Sequence, residues 1–86
     1  MYFTYVLKCK SSDKEVLYIG FTKNLKLRLK RHLNKEVNTT KKFDKITLIY
    51  YEACLNVTDA RKRENQLKTG FGRGYLKRRL ETFMRV

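Results

Sequence analysis

The chain contains no proline and no tryptophan, and only one histidine and two cysteines among its 86 residues. A closed structural zinc site needs about four Cys or His ligands. Cys9 and Cys54 stand alone, without a CxxC pair, so the sequence argues against structural zinc. No secretory signal pattern opens this lysine-rich chain. We therefore expect a cytoplasmic protein with reduced, half-buried cysteines, and a disulfide is the less favoured alternative.

Acidic residues and long apolar runs are also scarce. Eight Asp and Glu stand against 21 Lys and Arg, which leaves a formal net charge of +13. No apolar stretch approaches the roughly 20 residues of a membrane-spanning helix. Because like charges at this density repel one another in a compact fold, the composition indicates a polyanionic partner. Nucleic acid is the first candidate, since neutralised phosphates release their counterions, and an anionic membrane surface is the rival.

Aromatic residues are plentiful by comparison. Six Tyr and five Phe, within an apolar fraction of 42%, argue against disorder despite the charge. We find no repeat, low-complexity segment or linker, so residues 1–86 are expected to form one domain. A domain of this size buries only about 60% of the surface of its unfolded chain, so its core is thin.

Strand and helix signals alternate along the chain. Aromatic and β-branched runs predict strands over 2–10, 15–21 and 45–55, the first two joined as a hairpin by a turn cluster. The third run is the most continuously apolar and is expected to be the most buried strand. A helix is predicted over 24–34 from Leu25, Leu29 and Leu33, with Thr22 or Asn24 as N-cap, and 35–45 is predicted as a loop.

The last third of the chain predicts two helices. The first covers 58–68, with Thr58 as its N-cap. Gly70, Gly72 and Gly74 predict a break, with Gly70 as the helix stop, before a short basic helix over 75–83. The fold class is therefore α+β, in which helices pack on a three-stranded antiparallel sheet in the order β-β-α-β-α-α.

Two polar residues of the first predicted helix lie on its inner side. Arg28 and His32, four residues apart, flank the leucine stripe, whereas its lysines and Arg31 are on the solvated side. One interpretation is that Arg28 extends from the edge of the core to solvent and His32 is a half-buried histidine. The other is that both line a cleft, where the forked guanidinium suits a phosphate.

Tyrosines and one glutamate leave similar alternatives open. Tyr5 and Tyr18 either form a cross-strand pair or direct two phenols into the same cleft. Glu64 shares a helical face with Ala60 and Leu67, the face expected to meet the sheet. Its carboxylate is either an ion-pair partner, for example of Lys68, or a ligand for a hard cation such as Mg2+.

Taken together, the segments Phe3-Thr4-Tyr5 and Tyr18-Ile19-Gly20, followed by Arg28, His32 and Glu64, resemble the GIY-YIG nuclease superfamily, over essentially the whole chain. The likeness is closest to the small stand-alone bacterial members. The first motif reads FTY where the family has GIY, and the downstream Asn of many relatives has no clear counterpart, Lys68 and Arg73 being the candidates.

The resemblance implies a metal-dependent endonuclease acting on DNA by preference. Glu64 would hold a single Mg2+ or Mn2+, Arg28 would steady the scissile phosphate, and Tyr5 and Tyr18 would activate or orient the attacking water, with His32 assisting. No small-molecule cofactor or membrane is implied, whereas a protein partner or a homodimer stays open. Basic residues outside this set predict contacts with the nucleic-acid backbone, or a solvated face: Lys30, Arg31, Lys68, Arg73, Lys77 and Arg78.

Two other classes of function fit the same composition. A non-catalytic nucleic-acid-binding module would need no metal, and its affinity would fall steeply with salt. A basic domain that docks on acidic protein or membrane would bind heparin as well as it binds DNA.

Overall fold

The computed structural model describes residues 1–84. Its elements are β1 (Tyr2–Lys10), β2 (Glu15–Thr22), α1 (Leu25–Leu33), β3 (Lys45–Cys54), α2 (Val57–Leu67), α3 (Gly70–Arg79) and α4 (Glu81–Met84). The α+β class and the predicted order are confirmed, and the last predicted helix is divided into α3 and the single turn of α4. No helix within the described part is long and apolar enough to cross a membrane.

The strands form one antiparallel sheet in the order β2-β1-β3, with a register shift between Val6 and Leu7 in the β1–β3 pair. The prediction that the third strand is the most buried is wrong. The central strand β1 carries the buried run from Thr4 to Leu7, whereas β3 is an edge strand with mostly intermediate or exposed positions. A continuous apolar run signals burial on both faces, but it does not reveal which strand has neighbours on both sides.

Helices cover the two faces of β1. Tyr5, Leu7 and Cys9 pack with Phe43 and Ile46 on the face of α1. Val6 packs with Leu67 of α2 and Leu76 of α3 on the other face. The prediction that Leu33 belongs to the inner stripe is wrong, because α1 ends there and Leu33 is 52% exposed. The fully buried position in the last turn of α1 is taken by His32.

Side-chain caps fix where the helices begin. Asn24, one of the two predicted N-caps, caps α1: its Oδ1 accepts a hydrogen bond from the Leu27 N–H. Asn56, and not Thr58, caps α2, because its Oδ1 accepts from the N–H groups of Thr58 and Asp59.

The segment between residues 35 and 44 contains turns without helix or strand, as predicted. Cys9 and Cys54 are both free thiols; Cys54 is half-buried as expected, whereas Cys9 is fully buried.

The predicted glycine break is wrong in its position. The connection between α2 and α3 lies at Lys68 and Thr69, and Gly70, Gly72 and Gly74 all belong to α3. Thr69 caps this helix by accepting a hydrogen bond from the Gly72 N–H. A side chain on Gly72 would overlap the backbone of Leu67. Gly72 therefore allows close packing of α3 on the end of α2, and none of the three glycines breaks the helix.

Candidate active site

The β1–β2 hairpin brings the two predicted tyrosines together. Tyr5 lies opposite Gly20 and Tyr18 lies opposite Leu7, so the two tyrosines are diagonal neighbours on one face of the sheet. Their ring centroids are 6.2 Å apart. The Tyr5 ring covers Gly20, where a Cβ atom would overlap the phenol. The hairpin register and the missing side chain at Gly20 therefore fix where the Tyr5 hydroxyl points.

Helix α1 delivers Arg28 and His32 to the Tyr5 hydroxyl. The Arg28 Nε–H donates to this hydroxyl over 3.2 Å, and His32 Nε2 lies 2.9 Å from it. The residues are four apart, so one helical face presents both groups. His32 has no exposed surface and Tyr5 is 1% exposed. Arg28 and His32 thus meet on one phenol, with His32 fully buried and Arg28 half-buried.

Thr40 completes this chain of hydrogen bonds from the loop before β3. His32 Nδ1 and Thr40 Oγ1 are 2.7 Å apart, and Thr40 is itself buried. A neutral imidazole has one donor and one acceptor nitrogen. Each group is used once if Arg28 donates to Tyr5, Tyr5 donates to His32 Nε2, and His32 Nδ1–H donates to Thr40. Sequence reasoning missed Thr40, because a threonine in a polar loop carries no pattern that links it to a histidine eight residues earlier.

Burial keeps the phenol and the imidazole of this chain neutral. Burial raises the pKa of Tyr5 to about 12, although the Arg28 guanidinium acts to lower it. Burial and the nearby Arg28 charge lower the pKa of His32 to about 4. The hydrogen bond to Tyr5 raises the pKa of Arg28, and Tyr18 adds to the effect. The resting site is therefore a phenol, a neutral imidazole and a guanidinium, with no standing phenolate.

Tyr18 connects this buried chain to an open cavity of about 560 Å3. The Tyr18 ring contacts His32 at 5.1 Å between centroids. The cavity runs along β2 to the α2–α3 turn, and its wall is formed by Leu17, Tyr18, Ile19, Thr39, Leu67, Lys68, Arg73 and Leu76. Tyr18 is thus the member of the site that meets the cavity, and Lys68 and Arg73 are the cations on its far side.

Glu64 lies half-buried on α2, on the same inner face as the fully buried Ala60 and Leu67. Its side chain is 17% exposed and pairs with Lys68 over 3.2 Å, which is the ion pair left open by the sequence. Within residues 1–84, no three His, Cys, Asp or Glu side chains come together as a ready-made metal cluster. A lone carboxylate still fits Mg2+, which keeps several waters and uses one or two carboxylates together with substrate phosphates.

The remaining predicted cations lie apart from this centre. Lys30 and Arg31 are exposed on the outer side of α1, and Lys77 and Arg78 are exposed on α3. The buried chain and the cavity do not include them. Their positions suit contacts with an extended polyanion, in contrast to Lys68 and Arg73, which line the cavity.

The low pKa of His32 predicts a pH-dependent stability. The unfolded chain binds this proton with a pKa near 6.5, whereas the folded value is about 4, so protonation favours unfolding. We expect the free energy of unfolding to fall as the pH drops through this window, with a limiting slope of about 1.4 kcal/mol per pH unit.

The measurement is urea unfolding between pH 4 and pH 8 for the wild type and His32→Gln. The pKa of Glu52 is also shifted: burial acts to raise it, but Arg63 and Tyr50 lower it overall. Both proteins contain Glu52, so its effect cancels in the comparison. The difference in free energy of unfolding between the wild type and His32→Gln should become smaller as the pH falls below 6.5, the pKa of histidine in the unfolded chain. A constant difference over the whole range would contradict the assignment of a neutral, buried His32.

Comparison with known proteins shows the family of this chain. A family model described as the GIY-YIG catalytic domain matches residues 1–80. A UPF0213 protein of Clostridium perfringens is 38% identical over 69 residues, which cover 79% of this chain and 71% of that protein. UPF0213 proteins of Staphylococcus haemolyticus and Staphylococcus epidermidis are 32% and 33% identical over the same length, covering 79% of this chain and 80% of each relative.

No solved structure matches the chain. The relatives are small bacterial proteins, in line with the stand-alone type expected from the motifs, and the family supports a nuclease-type function with nucleic acid as substrate. The chain belongs to the GIY-YIG catalytic-domain family.

Proposed function

We propose that the protein is a metal-dependent endonuclease that hydrolyses phosphodiester bonds in DNA. The observation that carries this proposal is the hydrogen-bonded chain from Arg28 through Tyr5 to His32, whose ring neighbour Tyr18 also lines an open cavity. A fold that only bound nucleic acid would gain nothing from a half-buried arginine joined in series to a buried phenol and a buried imidazole. Hydrolysis needs a positioned water, a proton acceptor and compensation of charge on phosphate, and these groups supply all three.

Arg28 is the phosphate ligand of this proposal. Its Nε is held by the Tyr5 hydroxyl, which leaves the terminal amino groups of the guanidinium to face a phosphate. A guanidinium in a fixed orientation matches two phosphate oxygens and loses little side-chain entropy on binding. Its role is to stabilise the negative charge that grows on the non-bridging oxygens as the new P–O bond forms.

The tyrosines and His32 handle water and its proton. Tyr18 lines the cavity. Its proposed role is to orient the attacking water through its hydroxyl. The raised pKa of Tyr5 argues against a resting phenolate, and a short-lived transfer fits better: Tyr5 accepts the water proton as its own proton passes to His32 Nε2. Thr40 holds the imidazole in the tautomer whose Nε2 can accept that proton.

Glu64 is the residue that would hold a divalent cation, Mg2+ or Mn2+. Such an ion, when bound, neutralises phosphate charge and assists the leaving oxygen. The Glu64 carboxylate must first exchange its Lys68 partner, which is half exposed and belongs to a surface pair of small net energy. Lys68 can then turn to the phosphates. The formal net charge of +13 likewise favours a polyanionic substrate.

The test is cleavage of labelled single-stranded, duplex and branched DNA with Mg2+, Mn2+ or EDTA. We expect cutting in both metals and none in EDTA, and a loss of about 100-fold in Tyr18→Phe, because positioned acid–base groups contribute 10²–10⁴-fold. Tyr2→Phe is the matched control, since Tyr2 stacks on Phe21 outside the site. Tight, salt-sensitive binding without cleavage of any substrate would favour the non-catalytic binding module instead.

A further inference from the structure

A second concavity of about 540 Å3 lies between α1 and β3, apart from the cavity that Tyr18 lines. We call it the α1–β3 groove. Its floor is apolar and its rim polar, and its lining residues are Phe3, Lys23, Asn24, Leu25, Lys26, Leu29, Leu48 and Tyr51. Leu25 and Leu29 also pack on the core beside Tyr5, so the groove is built on the same helix that presents Arg28.

Two aromatic rings form one end of this groove. Tyr51 lies opposite Tyr5 in the β1–β3 register, and Phe3 is two residues before Tyr5, so all three belong to the same face of the sheet. Phe3 and Tyr51 meet edge to face with ring centroids 6.1 Å apart. Tyr51 is nevertheless 53% exposed, although it is a large ring beside an apolar floor. An open aromatic face at this position is a surface on which another flat ring can stack.

The charges around the groove indicate the ligand. Lys23 and Lys26 are exposed at its rim, and no Asp or Glu is among its lining residues. An apolar peptide or a second copy of this strongly cationic chain would meet uncompensated lysines there. A nucleic-acid strand would bring phosphates to the lysines and bases to the rings, which is how single strands are bound without sequence preference.

We propose that the α1–β3 groove binds an unpaired stretch of nucleic acid, with a base stacked on Tyr51 and phosphates at Lys23 and Lys26. A duplex hides its base faces within the stack, so the groove discriminates for single-stranded segments. Leu25 and Leu29 of the groove lie on the same helix as Arg28, so a strand held there runs beside the helix that carries the phosphate ligand. This inference extends the proposed nuclease function by naming its substrate as DNA with a single-stranded region, such as a flap or a gap.

The test measures binding without cleavage. Fluorescence anisotropy in EDTA compares a single-stranded oligonucleotide with a hairpin duplex of equal length, for the wild type, Tyr51→Ala, Tyr51→Phe and Phe71→Ala. Phe71, 55% exposed on α3, is the matched control for loss of an exposed ring. We expect Tyr51→Ala to weaken single-strand binding about tenfold, because one stacked base contributes about 1–3 kcal/mol. Duplex binding, Tyr51→Phe and Phe71→Ala should stay within about twofold of the wild type.

A second probe reports the stack itself. An oligonucleotide carrying 2-aminopurine should lose fluorescence on binding to the wild type and lose less on binding to Tyr51→Ala, and circular dichroism checks that this variant is folded. Equal weakening for single strand and duplex, or no weakening, would overturn the proposal. So would a shift from dimer to monomer in Tyr51→Ala, which would make the groove a contact between copies.

Failure of the groove and failure of the nuclease proposal are distinguishable. Single-strand binding that depends on Tyr51 in a protein that never cuts would leave the groove standing and remove the catalytic proposal. Metal-dependent cutting together with single-strand binding unchanged in Tyr51→Ala would do the reverse.

Discussion

Glu64→Gln is expected to lower metal-dependent DNA cleavage by about 10³–10⁴-fold. Glutamine keeps the size of the side chain but removes its negative charge, and a neutral amide is a poor ligand for a hard cation. The metal supplies several kcal/mol of charge stabilisation, and each 1.36 kcal/mol is tenfold in rate. The experiment is single-turnover cleavage in Mg2+, with a Mn2+ titration to ask whether more metal restores any rate.

The control for this result is Asp59→Asn. Asp59 lies on the same helix but in its exposed first turn, where its charge complements the helix N-terminus. It should cut like the wild type, and DNA binding in EDTA should be unchanged or tighter in Glu64→Gln, because a negative charge has been removed. Full activity of Glu64→Gln would exclude Glu64 as the metal ligand and leave the Lys68 pair as its only role.

The positions of the strands and helices could be predicted from the sequence, whereas the order of the strands within the sheet could not. Strand and helix positions follow from local periodicity, which the hairpin and the stripe of Leu25 and Leu29 display directly. The central position of β1 depends on pairing between distant segments, which leaves no local trace. The prediction that Gly70 ends a helix is wrong for the same reason. The glycine at position 72 is required by close packing against Leu67, and this contact leaves no signal in the local sequence.

The site was partly predictable for a related reason. Arg28 and His32 stand out because polar residues on an inner helical face are unusual, and the tyrosines stand out through the motif that contains them. Their joint hydrogen bonds require tertiary geometry, and Thr40 is found only there. Whether residues 1–86 form a single domain, and whether Glu64 binds a metal, remain predictions.

A second polar network was not foreseen at all. Arg63 donates to both oxygens of the Glu52 carboxylate on β3, and the Tyr50 hydroxyl donates to Glu52 and lies 2.8 Å from the Tyr75 hydroxyl. Arg63 also stacks over the Tyr75 ring. This network ties α2 and α3 to the edge strand. It fixes the rotation of α2 at the residue next to Glu64, so the direction of that carboxylate depends on contacts made between α2, α3 and the edge strand.

Gly20→Val is expected to destabilise the protein by more than about 3 kcal/mol. A Cβ atom at this position would overlap the Cζ and hydroxyl of Tyr5, and the added methyl groups allow no small adjustment. Tyr5 cannot move aside, because its hydroxyl is bonded to Arg28 and His32 and its ring is 1% exposed. Gly20→Ala should show a smaller loss of the same kind.

Gly74→Ala is the matched control, and it should be neutral or stabilising. Its Cβ would meet only the end of the flexible Arg78 side chain, 3.3 Å away, and alanine is favoured over glycine inside a helix by about 0.5–1 kcal/mol. The measurement is urea unfolding at pH 7, with the His32 ring resonances in NMR as a local report on the Tyr5 hydrogen bond. A Gly20→Val protein as stable as the wild type would mean that Tyr5 has another place to lie, and the rigid phenol between Arg28 and His32 would no longer explain the site.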